Sequence, residues 1–221
     1  MTFPQSAGPS GPLIAKLLLE IEAVHLRPNA PFTLTSGRLS PVYIDCRKII
    51  SFPLARNKVM DLAQQKVEQV IGFAGIDAIA GGETAGIPYA AFLSDRMHLP
   101  MLYIRKKPKG FGRDAQIEGE LKEGQRVLLI EDLATDGGSK VNFIEAIRKA
   151  GGRIAHTLVI FHYGIFPQST KILAEMGVNL HGLATWRDIY DVAIAQHLLN
   201  EDEAASIKAF LENPEDWKKP C

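Results

Sequence analysis

The chain has 221 residues, of which 46% are hydrophobic and 23% are charged. This length is typical of one domain with a sizeable core, which excludes a globally disordered chain. The charges of the 25 basic and 25 acidic side chains cancel. This balance excludes a protein that coats nucleic acid generally, so any anion-binding site must be local.

Cysteine content and hydropathy restrict the class of protein further. Cys46 and Cys221 cannot by themselves form a disulfide framework or a structural zinc site. The first residues, MTFPQSAGPSGP, lack the basic start and apolar core of a signal peptide, and no apolar run approaches the length of a membrane span. We therefore expect a cytoplasmic protein.

The first quarter of the chain is predicted to be a tail and a small cap. Residues 1–12 are rich in Pro, Gly and Ser and are expected to be a loose tail. Apolar residues at helical spacing predict a helix over 13–25. Two short strands are expected at 32–37 and 42–45. Together these pieces predict an N-terminal cap and base-binding region over residues 13–52.

Predicted helices and strands alternate over residues 53–187. Helices are predicted at 54–71, at 87–96, in a segment that ends near 150, and at 168–176. Strands are predicted at 77–80, 101–104, 126–130, 155–161 and 180–184. This alternation predicts an α/β class, three-layer α/β/α domain with a central parallel sheet. Residues 188–221 are expected to be a C-terminal helical extension with two short helices.

The most informative segment is VLLIEDLATDGGS, residues 127–139. Its acidic pair, Glu131 and Asp132, comes where a buried strand should end, and ligands of open α/β sheets bind at that edge. Two carboxylates there can accept hydrogen bonds from vicinal hydroxyls or hold magnesium. The small residues after Ala134 open a helix, whose N-terminus favours a phosphate. Acidic strand ends and glycine turns are each common structural features, but their joint pattern favours a ribose 5-phosphate site.

This segment resembles the phosphoribosyl-pyrophosphate (PRPP) signature of type I phosphoribosyltransferases. The resemblance implies the fold of that family and assigns the ribose hydroxyls to the acidic pair and the 5-phosphate to the loop that follows. The PRPP-binding residues implied by this segment are Glu131, Asp132, Leu133, Ala134, Thr135, Asp136, Gly137, Gly138 and Ser139.

A second segment, FTLTSGRLSPVYID at 32–45, resembles the N-terminal region of orotate phosphoribosyltransferases. In that enzyme the region lines the orotate pocket, whereas taken alone it could be a plain hairpin beneath a cap. The orotate-binding residues implied here are Ser36, Gly37, Arg38, Tyr43 and Thr135.

The segment RKKPKGFGR at 105–113 carries five basic residues and no acidic one, and its Pro and Gly content predicts a mobile loop. A cationic loop suits a pyrophosphate leaving group, although a solvated basic loop or a weak nucleic-acid patch is the alternative. The segment resembles the catalytic loop of orotate phosphoribosyltransferases, which implies that Arg105, Lys106 and Lys109 contact the diphosphate. In that family the loop commonly reaches into the neighbouring site of a dimer. The resemblance makes Lys109 and Asp132 the catalytic candidates.

The turn GGETAGIP at 81–88 follows a strand and precedes a helix. It resembles the pyrophosphate-binding loop of the family, which adds Glu83 and Thr84 to the PRPP-binding residues. An ordinary strand-to-helix turn is the structural alternative.

Several positions depart from the family pattern. Thr35 and Ala85 stand where many members carry a lysine, and Phe111 replaces a histidine. Residues 162–167, HYGIFP, lack the arginine that in many members pairs with the orotate carboxylate. Arg38 or backbone N–H groups are the candidate substitutes.

The resemblance as a whole implies an enzyme that joins orotate to PRPP, releasing pyrophosphate and forming orotidine 5′-monophosphate. It implies Mg²⁺ carried by PRPP, near Asp132, with no protein metal ligand assigned with certainty. A homodimer is expected, with no nucleic-acid or membrane partner. A phosphoribosyltransferase for another base is the first alternative. A non-catalytic PRPP-binding regulator is the second, although such regulators usually append a DNA-binding segment and this N-terminal addition is short and not basic.

Overall fold

The structure is a computed structural model that describes residues 3–34, 37–108, 116–135 and 138–220. Two 3-10 helices, Cys46–Ser51 and Phe73–Gly75, accompany the elements that follow. In chain order these are α1 (Gly11–Glu20), β1 (Val24–Leu26), β2 (Phe32–Thr33), β3 (Leu39–Ser40), β4 (Val42–Ile44), α2 (Pro53–Val70), β5 (Ala78–Gly82), α3 (Gly86–Met97), β6 (Met101–Ile104), β7 (Ile117–Glu118), β8 (Arg126–Ala134), α4 (Gly138–Lys149), β9 (Arg153–His162), α5 (Gln168–Glu175), β10 (Asn179–Thr185), α6 (Trp186–Ala195) and α7 (Glu201–Glu212).

The central sheet has six strands in the order β10-β9-β8-β5-β6-β7. All neighbours are parallel except β7, which pairs antiparallel with β6. The predicted three-layer α/β/α architecture with a central parallel sheet is confirmed. The edge strand β7 was not predicted, because two residues are too few to show an alternating pattern.

Strand β8 shows why the sheet is covered on both faces. Leu128 and Ile130 belong to the core formed with α1, α2, α3 and α6, whereas Val127 and Leu129 belong to the core formed with α4 and α5. All four side chains are buried, as expected for a central parallel strand with a continuous apolar sequence. Both faces of this strand pack against a core, and this packing fixes the position of the residues that follow the strand.

The expectation of a loose N-terminal tail is wrong for residues 3–12. Asp188 is 2% exposed at the start of α6, and its carboxylate accepts hydrogen bonds from the Ser6 hydroxyl at 2.6 Å and the Ala7 amide at 3.1 Å. A buried carboxylate requires several donors, and the tail supplies two of them. The Ser10 hydroxyl also holds the tail, because it donates a hydrogen bond to the Leu183 carbonyl at 2.9 Å.

The predicted helix over 13–25 is also too long. It ends at Glu20, and Glu22 adopts a left-handed backbone conformation with φ of 54°. The chain then enters β1, in which Val24 pairs with Ile44 of β4. The apolar residues near position 24 therefore pack through strand pairing rather than through a helix face. No helix of the described ranges is long and apolar enough to cross a membrane.

Candidate active site

The acidic pair lies inside β8, not at its end as the sequence suggested. The β5 pairing of β8 stops at Ile130, whereas its β9 pairing continues to Ala134, opposite His162. Glu131 and Asp132 therefore lie on a projecting length of strand with one open edge. The open edge forms a cleft at the carboxyl end of the sheet, where α/β proteins bind ligands.

The glycine-rich turn between β5 and α3 packs closely against this projecting length of β8. An added Cβ at Gly82 or Gly86 would collide with the Glu131 carboxylate, and one at Gly81 would collide with the backbone of Gly86. Side chains are thus excluded where the turn passes the acidic pair. The turn brings Thr84, Ala85 and the first residues of α3 to the edge of the same cleft.

A first cavity of about 630 Å³ occupies the cleft. Its charged lining contains both signs. The acidic residues are Asp45, Glu131 and Asp132, and the basic residues are Arg47, Lys106 and Lys140. Its remaining lining consists of Tyr43, Ile44, Ile50, Thr84, Ala85, Pro88, Leu133, Thr135, Ser139 and Tyr163. A ligand with both hydroxyl donors and phosphate oxygens suits such a mixed surface.

The backbone of Lys106 is held on both sides. Its amide donates to the Glu83 carboxylate at 2.7 Å, and its carbonyl accepts from the Asn142 side chain at 2.9 Å. These two bonds join the start of the basic segment to the glycine-rich turn and to α4. They position Lys106 at the cavity wall, whereas Arg105 turns toward Glu118 at 3.8 Å.

A second cavity of about 560 Å³ joins the first, with Tyr43, Thr135 and Tyr163 lining both. Its character is aromatic. Its other lining residues are Phe32, Thr33, Leu34, Arg38, Phe166, Gln168 and Glu215. The Arg38 guanidinium lies over the Phe166 ring, 5.6 Å from the centroid, and 3.8 Å from Glu215. This arrangement suits a flat ring that carries a negative group.

Burial controls the protonation of the acidic pair. It raises the pKa of Glu131 to about 7, against the effect of the Lys140 ammonium. The nearby Gly82 amide also favours the charged form of Glu131, although Glu131 Oε1 accepts no hydrogen bond from the described residues. Burial likewise raises the pKa of Asp132, which the Leu133 amide and Lys140 oppose. Near neutral pH, Glu131 is thus poised between its two forms, and hydroxyl donors or a cation would favour the charged one.

Most of the predicted site residues that lie in the described ranges meet at these cavities. Those that line one or both are Arg38, Tyr43, Thr84, Lys106, Glu131, Asp132, Leu133, Thr135 and Ser139. Those that line neither are Gly37, Glu83, Arg105, Ala134 and Gly138. The side chains of Glu83 and Arg105 contact Lys106 and Glu118 instead, and Ala134 is buried. Four further predicted residues lie outside the described ranges, namely Ser36, Lys109, Asp136 and Gly137.

The structure adds cavity residues that the sequence did not identify, namely Arg47, Lys140, Tyr163, Phe166 and Glu215. Tyr163 and Phe166 could have been found, because they follow β9, the strand beside β8, at the same edge of the sheet. Lys140 and Glu215 carried no such signal, since a charged residue on a helix or near the end of a chain is usually solvated.

Comparisons with known proteins agree with this site. The family model for the phosphoribosyl transferase domain matches residues 49–171. The orotate phosphoribosyltransferase of Cereibacter sphaeroides is 55% identical over 206 residues, covering 93% of this chain and 89% of that protein. The orotate phosphoribosyltransferase of Dinoroseobacter shibae is 53% identical over 218 residues, covering 99% and 96%.

A solved structure agrees as well. The crystal structure of orotate phosphoribosyltransferase from Aeropyrum pernix matches with a TM-score of 0.68 and 34% identity, covering 80% of this chain and 97% of that chain. The domain match contains the acidic pair and the glycine-rich turn, and the similarity extends through both cavities. The chain therefore belongs to the phosphoribosyl transferase domain family and, within it, to the orotate phosphoribosyltransferases.

Proposed function

We propose that this chain transfers the phosphoribosyl group of PRPP to orotate, giving orotidine 5′-monophosphate and pyrophosphate in pyrimidine biosynthesis. The observation that carries the proposal is the junction of two unlike cavities at Thr135. One cavity contains the acidic pair and three cations, and the other contains aromatic rings and Arg38. The two substrates of this reaction are a phosphorylated sugar and a flat aromatic acid, so each matches one cavity.

PRPP occupies the first cavity in this proposal. Glu131 and Asp132 accept hydrogen bonds from the ribose hydroxyls, and the turn from Thr135 to Ser139 binds the 5-phosphate at the start of α4. Thr84 and Lys106 contact the diphosphate, with Arg47 as a further cation on that wall. The contributions of Arg105 and Lys109 rest on the family resemblance.

Orotate occupies the second cavity. Its ring packs against Tyr43 and Phe166, and its carboxylate pairs with Arg38, which replaces the arginine missing from residues 162–167. The aromatic contacts orient the ring so that N1 faces the first cavity across Thr135. Positioning of this kind converts an encounter of two molecules into a reaction within one site.

The reaction needs little acid–base chemistry from the protein. Orotate N1, which loses its proton to solvent, forms a bond to ribose C1 while the C1–O bond breaks, and the electron pair of that C1–O bond leaves with pyrophosphate. The carboxylates of Glu131 and Asp132 stabilise positive charge that develops on the ribose. Lys106 and the basic segment stabilise negative charge that develops on the leaving group.

The acidic pair is suited to a magnesium ion carried by PRPP. Mg²⁺ uses one or two carboxylates and keeps its other positions for water and substrate phosphates. Within the described ranges, no group of three or more His, Cys, Asp or Glu side chains could hold a metal. Asp132 and Glu131, which line the first cavity, are the candidate carboxylates for an ion that arrives with PRPP. When bound, the ion neutralises charge on the diphosphate.

A homodimer is part of the proposal. Ile50, Phe52 and Leu54 expose 36%, 38% and 87% of their surface next to the first cavity, which Ile50 also lines. We expect a second copy to cover these side chains, and the family resemblance assigns segment 105–113 to the neighbouring site of such a dimer. The predicted cytoplasmic location stays a prediction, which cell fractionation would test.

The experiment is a direct assay. Purified protein is mixed with orotate, PRPP and magnesium, and the loss of orotate is followed by its ultraviolet absorbance. We expect turnover with orotate and little with uracil or hypoxanthine. Preference for another base would favour the first alternative function. PRPP binding without turnover of any base would favour a regulator.

A further inference from the structure

Lys140 is a buried lysine at the floor of the first cavity. It lies in the first turn of α4, and its side chain is only 2% exposed. A buried ammonium is costly unless it is paired and hydrogen-bonded, so the partners of Lys140 decide what it can do. No role was assigned to it by the sequence patterns.

The contacts of Lys140 connect both sides of the turn that follows β8. Its Nζ donates to the Leu133 carbonyl at 2.8 Å and lies 3.8 Å from Glu131 Oε2. Leu133 and Glu131 belong to the projecting length of β8, whereas Lys140 belongs to α4. One side chain therefore joins the end of β8 to the first turn of α4.

The charge of Lys140 also reaches several groups around the cavity. It favours the charged forms of Glu131 and Asp132. Burial lowers the pKa of His162, and Lys140 lowers it further. These groups lie on the two neighbouring strands β8 and β9, and Glu131 and Asp132 line the first cavity.

We propose that Lys140 is a positioning residue for the ribose 5-phosphate half of PRPP. It holds Glu131 ready to accept from a ribose hydroxyl, and its bond to the Leu133 carbonyl fixes the first turn of α4, with Ser139, against β8 for the 5-phosphate. The proposal rests on the proposed function. It is distinct from a diphosphate contact, which lies toward Lys106 on the other wall.

The test compares Lys140→Met with Lys149→Met, a matched change at an exposed lysine in the last turn of the same helix. Dissociation constants for PRPP, ribose 5-phosphate and inorganic pyrophosphate, each with magnesium, are measured by calorimetry. We expect Lys140→Met to weaken PRPP and ribose 5-phosphate by the same factor, about ten- to hundredfold, and to leave pyrophosphate unchanged. The KM for orotate should change less than the KM for PRPP, and Lys149→Met should match the wild type.

A purely structural role makes a different prediction. Lys140→Met leaves Glu131 buried without the Lys140 ammonium, which can destabilise the fold. The double variant Glu131→Gln/Lys140→Met avoids this problem because it removes both charges. If Lys140 only neutralises Glu131, this double variant will bind ribose 5-phosphate as tightly as Glu131→Gln alone, which would overturn the proposal. Weaker binding in the double variant supports it, and equal weakening of pyrophosphate would also overturn it. Wild-type protein that fails to bind PRPP would instead contradict the proposed function.

Discussion

The two cavities that meet at Thr135 are assembled from the chain in different ways. The first takes its acidic pair, the turn that follows and Lys140 from one continuous stretch, residues 131–140. The second takes Phe32 and Arg38 from the N-terminal region, Phe166 from the β9–α5 connection and Glu215 from the segment after α7. The candidate sugar-phosphate residues of the first cavity are therefore neighbours in sequence, although residues 43–50, 84–88, Lys106 and Tyr163 complete its lining. The second cavity is assembled from distant segments alone.

This difference separates two tasks of the site. A sugar phosphate can be recognised by a strand end, a turn and a helix N-terminus, which a single segment supplies. Selection among flat bases requires walls on several sides, and here those walls come from outside the central sheet. In the proposed function, the phosphoribosyl half is bound largely by one stretch of the chain, and base selectivity depends on segments brought together from several places.

The largest expected effect is in the first cavity. Asp132→Asn should lower kcat/KM roughly ten- to hundredfold, because a charge-assisted hydrogen bond contributes about 1.5–3 kcal/mol. Steady-state kinetics would measure it, with Asp191→Asn, on the exposed Arg187 pair, as the control. The fold should persist, and near-normal kinetics would remove Asp132 from the site.

The second cavity should respond differently. Arg38→Ala should raise the KM for orotate about tenfold and leave the KM for PRPP nearly unchanged, since only the base carries the carboxylate. Arg27→Ala is a matched control, because Arg27 stacks on Phe32 without lining either cavity. Equal changes in both constants, or none, would assign the carboxylate to backbone groups or to another residue.

Subunit mixing tests whether a third segment crosses into the first cavity. Lys109→Ala and Asp132→Asn should each lower activity strongly, but a mixed dimer has one intact site if the basic segment serves its neighbour. With random exchange about half of the dimers are mixed, so activity should recover to about a quarter of wild type. Activity that stays at the level of the separate variants, with exchange confirmed independently, would show that the segment serves its own subunit.

The smallest expected effect is on stability. The pKa of Glu131 is raised to about 7 by burial, so the folded protein binds this proton more tightly than the unfolded chain does. The free energy of unfolding therefore falls by on the order of 1–3 kcal/mol as pH rises from about 4.5 to 7, because Glu131 loses its proton less readily in the folded protein. Denaturant unfolding of ligand-free Glu131→Gln should show a smaller loss over this range than the wild type. An identical pH dependence would contradict the raised pKa.

Much of the architecture follows from local patterns. The alternation of apolar strands with helices predicted the parallel sheet, because a strand covered on both faces needs an unbroken apolar run, as in residues 127–130. The acidic pair and the small residues after it predicted a sugar-phosphate site, because the carboxyl end of a strand and the start of a helix are adjacent in such a sheet. Prediction failed where partners are distant in sequence, as for the tail that binds Asp188.

The sequence by itself determined the order of elements, the edge of the sheet where the candidate site lies and the chemistry of the acidic pair, since each depends on neighbouring residues. Only the tertiary structure decided that β8 extends past β5, because strand length there depends on which neighbour still pairs with it. It also decided that Lys140 is buried and that Glu215 reaches Arg38. Burial and long-range pairing arise when separate segments pack, and no local pattern of residue types encodes them.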